Sequence, residues 1–110
     1  MTWEQRPDHL LEIETTMEGS AAVVKLVGEL DLASSERLFE EFRQVIDSGA
    51  TTLVCDVSEL AFVDSTGLSM FLMALKRMDA NGGSFALRDP TPQVRRILDV
   101  AGILSRLAPD

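Results

Sequence analysis

Alternation of apolar and polar residues predicts two strands at the start of the regular pattern. Leu10 to Thr16 alternates partly, which is typical of a half-exposed strand. Ala21 to Leu30 is more continuously apolar and predicts a second, more buried strand. The intervening Glu18-Gly19-Ser20 has the composition of a tight turn, so we expect the two strands to pair antiparallel.

The period of the pattern changes after the second strand. Asp31 to Ser34 is expected to be a loop, and Ser34 or Ser35 to cap a helix that ends before Gly49. The apolar stripe of this helix consists of Leu38, Phe39, Phe42, Val45 and Ile46. Thr51 to Val57 then predicts a buried strand. A strand, a helix and a strand in succession imply a right-handed crossover, so this strand should lie parallel to the one that ends at Leu30.

A second helix is predicted from about Ser65 to Asp79 or Ala80. At 100° per residue, one face is apolar and is expected to be core: Leu68, Phe71, Leu72, Leu75 and Met78. The opposite face mixes two methionines with polar residues: Ser69, Met70, Met73, Lys76 and Arg77. Met70 and Met73 are therefore either an adaptable docking surface or incidental exposed residues.

The remaining chain predicts one more strand and one more helix. Asn81-Gly82-Gly83 ends the second helix, and Ser84 to Arg88 is a short strand. Thr91 and Pro92 mark a helix start that Gly102 closes. Ile103 to Leu107 is a last short strand or a last turn. The order β-β-α-β-α-β-α predicts an α/β fold with a mixed sheet of four to five strands and helices mainly on one face.

Length and composition narrow the class of protein. A chain of 110 residues predicts one domain over residues 1–110, with residues 1–8 as a loose N-terminus. No apolar run approaches the roughly 20 residues of a membrane span, the polar N-terminus is unlike a signal peptide, and the single Cys55 is expected to be a small core residue. These features favour a cytoplasmic protein. The net charge of −8 argues against nucleic acid and suits either a basic protein partner or plain solubility.

The candidate chemistry lies between the third strand and the second helix, in Asp64-Ser65-Thr66-Gly67. This arrangement places hydroxyl groups at the positive end of a helix. Ser65 is then either an exposed phosphoacceptor or an N-cap, and Thr66 is its rival. Asp64 orients the Ser65 hydroxyl or holds the loop, and Gly67 permits either the close approach of a partner or a tight helix start.

Enzyme classes find little support in the sequence. The sole histidine, His9, lies in the N-terminal segment, so a Ser-His-acid triad has no base. Val63 stands where a nucleophile elbow needs glycine. There is no P-loop, and one histidine and one cysteine far apart make no metal site. Asp56 ends an apolar strand as a phosphoreceiver aspartate would, but the opening hairpin does not suit that fold. We expect no enzyme activity, cofactor or metal.

Three segments resemble the STAS domains, in particular the anti-sigma factor antagonists of bacterial partner-switching systems. Asp64-Ser65-Thr66-Gly67-Leu68 is similar to their phosphorylation-site signature. Gly28-Glu29-Leu30-Asp31 resembles their G-E-L-D at the end of an early strand. The third segment, Pro92 to Leu98 with Ala101-Gly102-Ile103, resembles the last helix and turn of the family. The three occur in the expected order and cover most of the chain from about residue 10.

The resemblance implies a regulatory switch. The unmodified protein would bind an anti-sigma factor that is also a GHKL-type serine kinase, and so release the sigma factor. The kinase would phosphorylate Ser65, and a serine phosphatase would reset it. The resemblance also places Asp31 beside the acceptor. The predicted partner-binding residues are Asp31, Asp64, Ser65, Thr66, Gly67, Met70 and Met73. The alternative is an unphosphorylated STAS subunit that scaffolds a larger complex, such as a lipid-transport ATPase or a stress-signalling assembly.

Overall fold

The fold is described from a computed structural model that covers residues 11–108. Three features of the sequence analysis lie outside the described residues: the predicted loose N-terminus at residues 1–8, His9, and the predicted strand start at Leu10. The elements are β1 (Leu11–Glu18), β2 (Ala21–Leu30), α1 (Leu32–Asp47), β3 (Thr52–Val63), α2 (Ser65–Ala80), β4 (Ser84–Arg88), α3 (Pro92–Val100) and α4 (Leu104–Leu107).

The strands form one mixed sheet in the order β1-β2-β3-β4. β1 and β2 pair antiparallel through the short turn at residues 19–20, while β2, β3 and β4 run parallel. The α/β class, the antiparallel opening and the parallel crossover are thus confirmed. The sheet has four strands. The segment from Ile103 to Leu107, predicted as a last short strand or a last turn, contains the short helix α4.

One core lies between the sheet and the helices. Alternate residues of the central strands are fully buried, among them Val24, Leu26, Leu53 and Val57, and α1 contributes Leu38 and Phe42 to the same cluster. Cys55 belongs to this core, as predicted, and burial raises the pKa of its thiol. The fully buried Val94 and Leu98 anchor α3.

The boundaries of two elements differ from the prediction. α1 begins at Leu32 and is capped by Asp31, so the expected loop and the cap at Ser34 or Ser35 are wrong. β3 continues to Val63, beyond the predicted end of the strand at Val57. Its pairing with β2 shifts register twice, between Lys25 and Val27 and between Gly28 and Glu29. These irregularities break the period-two pattern that would have revealed the longer strand.

The buried face of α2 is rotated from the predicted one. Its fully buried residues are Gly67, Phe71, Ala74 and Met78. Leu68, Leu72 and Leu75 are only partly buried. Small residues at 67 and 74 bring the helix close to the sheet along this face, and the leucines consequently lie at its margin.

Candidate functional site

The parallel strands β2 and β3 end at the same edge of the sheet. Leu30 and Val63, the last residues of the two strands, are paired in the register. Each strand is followed by an aspartate that caps the next helix, Asp31 for α1 and Asp64 for α2. The strand pairing therefore brings two helix N-termini and two carboxylates together, and the predicted proximity of Asp31 to Ser65 follows from this topology.

Asp31 is held by a reciprocal capping box. Its Oδ1 accepts the Ser34 backbone N–H at 3.2 Å, and the Ser34 hydroxyl accepts the Asp31 N–H at 3.0 Å. Ser34 is buried beneath this turn, while Asp31 stays partly exposed. Both ends of the box are satisfied, so the carboxylate has a fixed position at the surface.

Asp64 links the two helix N-termini. Its Oδ1 accepts the Gly67 backbone N–H at 3.0 Å and a short hydrogen bond from the Thr66 hydroxyl. Its Oδ2 accepts the N–H of Leu32, the first residue of α1, at 3.2 Å. Desolvation of the carboxyl acts to raise the pKa of Asp64. The hydrogen bonds from Thr66, Gly67 and Leu32 outweigh it, and the pKa is lowered. An ionised carboxylate engaged in this way is a poor general base.

Ser65 and Thr66 differ in the freedom of their hydroxyl groups. Ser65 is the first residue of α2 and is exposed, and within residues 11–108 its hydroxyl makes no hydrogen bond. Thr66 is half-buried, and its hydroxyl donates to Asp64. Asp64, rather than Ser65, is the N-cap of α2. A partner therefore meets an accessible hydroxyl at Ser65 and an occupied one at Thr66.

Gly67 is buried against the ends of the two strands. A Cβ placed there would lie 2.6 Å from the Val63 Cγ2 and 2.7 Å from the Leu30 Cγ. The space is therefore filled by the chain's own side chains. This favours the second interpretation of Gly67, a tight helix start, over the approach of a partner backbone.

Leu32 is a candidate contact residue that the sequence analysis missed. Its side chain is 73% exposed, although it stands next to Asp31 and its amide is bound by Asp64. Because residues 31–34 were expected to form a loop, Leu32 was not placed on a helix. One feature of the sequence could have revealed that Leu32 is exposed: it lies outside the apolar stripe of α1. A single exposed leucine is common on protein surfaces, so Leu32 is a candidate because of its place between two anchored carboxylates and not because of its exposure.

Met70 and Met73 lie on the side of α2 that also carries Arg77. Both are half-buried and pack against the core cluster, so neither is the freely exposed residue that the helical pattern predicted. One residue of the same side, Arg77, stacks over the Phe39 ring of α1 at 5.6 Å from its centroid. Met73 also borders a shallow surface depression lined by Ser69, Leu72, Met73, Lys76 and Arg77.

The described residues limit the chemistry of this site. Across residues 11–108, no three His, Cys, Asp or Glu side chains are grouped as metal ligands. None of the helices in this part of the chain has both the length and the apolar character needed to span a bilayer. What the edge offers is an accessible hydroxyl at a helix N-terminus, which can receive a group from another protein's active site.

Several known proteins that are similar to this chain in sequence and in fold are anti-sigma factor antagonists. The chain is 32% identical over 94 residues to the anti-sigma F factor antagonist of Paenibacillus polymyxa, a match that covers 84% of this chain and 80% of the relative. The anti-sigma factor antagonist SpoIIAA in its unphosphorylated form matches with a TM-score of 0.75 at 29% identity, covering 84% of this chain and 82% of that one.

The phosphorylated form of SpoIIAA, a cell fate determinant of Bacillus, also matches. Its TM-score is 0.68 at 28% identity, and the match covers 84% of each chain. The family model described as "Mlab, STAS domain" matches residues 13–107, which is nearly all of the chain. The protein therefore belongs to the STAS domain family.

Proposed function

We propose that this protein is an anti-sigma factor antagonist whose binding to an anti-sigma factor serine kinase is switched by phosphorylation of Ser65. The observation that carries the proposal is the exposed, unengaged hydroxyl of Ser65 at the first turn of α2. The names of the similar proteins support the role of antagonist, and one of them has a phosphorylated form. The chain itself is a substrate and a binding partner, not an enzyme, and it acts in the cytoplasm.

In the unmodified state, the kinase binds the edge of the sheet where α1 and α2 begin. Leu32 supplies apolar contact, and Asp31 and Asp64 supply fixed carboxylates for basic groups of the partner. Binding of this edge displaces the sigma factor. The kinase, of the GHKL type, binds ATP and transfers the γ-phosphoryl group of ATP to the Ser65 oxygen. ADP is the leaving group, and the hydroxyl proton goes to a base of the kinase. A serine phosphatase later restores the hydroxyl.

Phosphorylation weakens binding through charge. The phosphate adds about −1.5 to −2 charges at pH 7. It lies beside Asp64, and the first turns of α1 and α2 contain no lysine or arginine that could neutralise it. A loss of about 3 kcal/mol at the centre of the interface lowers the affinity more than a hundredfold.

Phosphosite mapping tests the acceptor directly. Incubation with the cognate kinase and ATP should add one phosphate, at Ser65, and Ser65→Ala should abolish its incorporation. Ser69→Ala is the matched control, because Ser69 is an exposed serine one turn later whose hydroxyl donates to the Ser65 carbonyl at 3.0 Å. Undiminished phosphorylation of Ser65→Ala would refute the assignment.

Binding measurements test the switch and the surface. Ser65→Glu should weaken kinase binding while Ser65→Ala preserves it, and equal affinities would contradict the charge argument. Leu32→Glu should also weaken binding without lowering the melting temperature, because the side chain is exposed. The partner recovered by pull-down separates this function from the scaffold alternative: a GHKL-type kinase supports the proposal, and an ABC ATPase with no kinase contradicts it.

A further inference from the structure

The helices cover one face of the sheet and leave the other partly exposed. On the open face, Val23, Lys25, Val54, Asp56 and Ala86 all keep some solvent exposure, whereas the residues that alternate with them are buried. This face is separate from the edge that holds Ser65, since it consists of the middle of the strands rather than their ends.

Charged residues form a straight row across the open face. Glu14 pairs with Lys25 in the register of β1 and β2, Lys25 with Asp56, and Asp56 with Arg88. Residues directly opposite one another on neighbouring strands share a face, so the row is acid, base, acid, base. Arg88 contacts Asp56 at 3.2 Å and Lys25 contacts Glu59 at 2.7 Å. For Glu14, no ion pair is found in the described part of the chain.

The neighbouring row is largely apolar. It consists of Thr16, Val23, Val54 and Ala86, which are paired in the same register. Val23, Val54 and Ala86 are half-buried. The open face therefore carries an apolar row beside a charged one, each spanning all four strands.

The order of the charged row is complementary to its own reverse. A twofold axis parallel to the strands, midway between β2 and β3, places β1 of one copy over β4 of another. Glu14 then faces Arg88 of the second copy, and Lys25 faces Asp56 of the second copy. The same operation sets the apolar row over its counterpart. Every charge of the row meets an opposite charge, and Glu14 gains a partner.

We propose that the open face binds a second copy of this chain in a face-to-face, twofold-symmetric dimer. A third row on the same face consists of Glu18, Ala21, Thr52 and Ser84. Four strands about 4.8 Å apart and three such rows give a contact of roughly 400 Å² of planar area on each copy. This is small beside the roughly 800 Å² per partner of a standard interface, so the dimer is weak, with a dissociation constant between about 10 µM and 1 mM.

Sedimentation equilibrium with charge-swap variants tests the dimer. The average mass of the wild type should rise towards two chains at high protein concentration, and less so in 0.5 M salt. Glu14→Arg and Arg88→Glu should each abolish the rise, and the double variant should restore it. Because β2 and β3 separate Glu14 from Arg88 by about 14 Å within one sheet, rescue requires contact between copies.

Two controls keep the result interpretable. Glu36→Arg makes the same change in net charge on the exposed surface of α1 and should leave the association unchanged. Circular dichroism checks that each variant is folded, and Glu14→Arg, on the exposed edge strand, suffices alone if Arg88→Glu does not fold. A wild type that stays monomeric, or a folded double variant without rescue, overturns the proposal. The face would then be open to a different protein.

Discussion

At Gly67 the fold leaves no room for a side chain. Alanine is the better helix former by about 1 kcal/mol, but its Cβ would lie within 2.8 Å of Leu30 and Val63 side-chain atoms. We expect Gly67→Ala to lower the free energy of unfolding by about 1–3 kcal/mol in urea denaturation, because overpacking outweighs propensity. Ser69→Ala, an exposed substitution in the same helix, should change it by less than about 0.5 kcal/mol. A stabilised Gly67→Ala would contradict the packing argument.

Asp64 makes stability depend on pH in the acid range. Its pKa is lowered in the folded chain, while in the unfolded chain it is about 3.9. Its contribution is therefore complete above about pH 4 and is lost as the pH falls through the lower, folded-state pKa. Asp64→Asn cannot titrate, so its free energy of unfolding should fall less than that of the wild type between pH 5 and pH 2.

The same two proteins supply the control for this prediction. Between pH 6 and pH 8, Asp64 is ionised in both the folded and the unfolded chain, and the difference in stability between wild type and Asp64→Asn should stay constant. If the free energy of unfolding fell equally in both proteins between pH 5 and pH 2, other carboxylates would be the cause.

At the scale of elements, the two methionines of α2 that the sequence pattern grouped together differ in how near they lie to the buried face of the helix. At 100° per residue, Met70 lies nearer than Met73 to the buried face formed by Phe71, Ala74 and Met78. Met70→Glu should therefore lower the free energy of unfolding by about 1–3 kcal/mol. Met73→Glu, beside the surface depression, should cost less than about 1 kcal/mol. Thermal unfolding of both variants measures this, and equal losses would contradict the helix orientation.

The sequence predicted most elements because their periodicity reflects burial. It failed where local signals compete or the period breaks. Asp31, Ser34 and Ser35 are all good capping residues, and only the capping box and the burial of Ser34 select Asp31. The second half of β3 alternates poorly because its pairing with β2 contains two register shifts.

Part of the candidate site could also be predicted from the sequence: the common sheet edge, but not the individual hydrogen bonds. The pairing of Leu30 with Val63 brings Asp31 and Ser65 to one edge, which agrees with the place that the family resemblance gave Asp31. That Asp64 also binds the amide of Leu32 depends on a contact between two segments more than 30 residues apart in the chain. Sequence patterns show neither this contact nor which of two neighbouring hydroxyls binds Asp64, so the preference for Ser65 over Thr66 came from the family resemblance.

On the scale of the whole molecule, the two proposed surfaces are independent. The phosphoacceptor lies at the strand ends beside two helix N-termini, and the charged row crosses the middle of the open face. Variants of one surface therefore report on that surface alone. Loss of phosphorylation at Ser65 leaves self-association in place, and Glu14→Arg leaves kinase binding in place.

The core predicts that residues 11–108 unfold as one unit. A single cluster joins buried residues of the sheet and the helices, including Leu26 of β2 and Leu98 of α3. Scanning calorimetry should show one transition whose calorimetric and van't Hoff enthalpies agree, near 75 kcal/mol for 110 residues at about 60 °C. Leu26→Ala and Leu98→Ala should each cost about 2–5 kcal/mol and lower the temperature of that same transition. A second transition in either variant would show that α3 unfolds separately from the sheet.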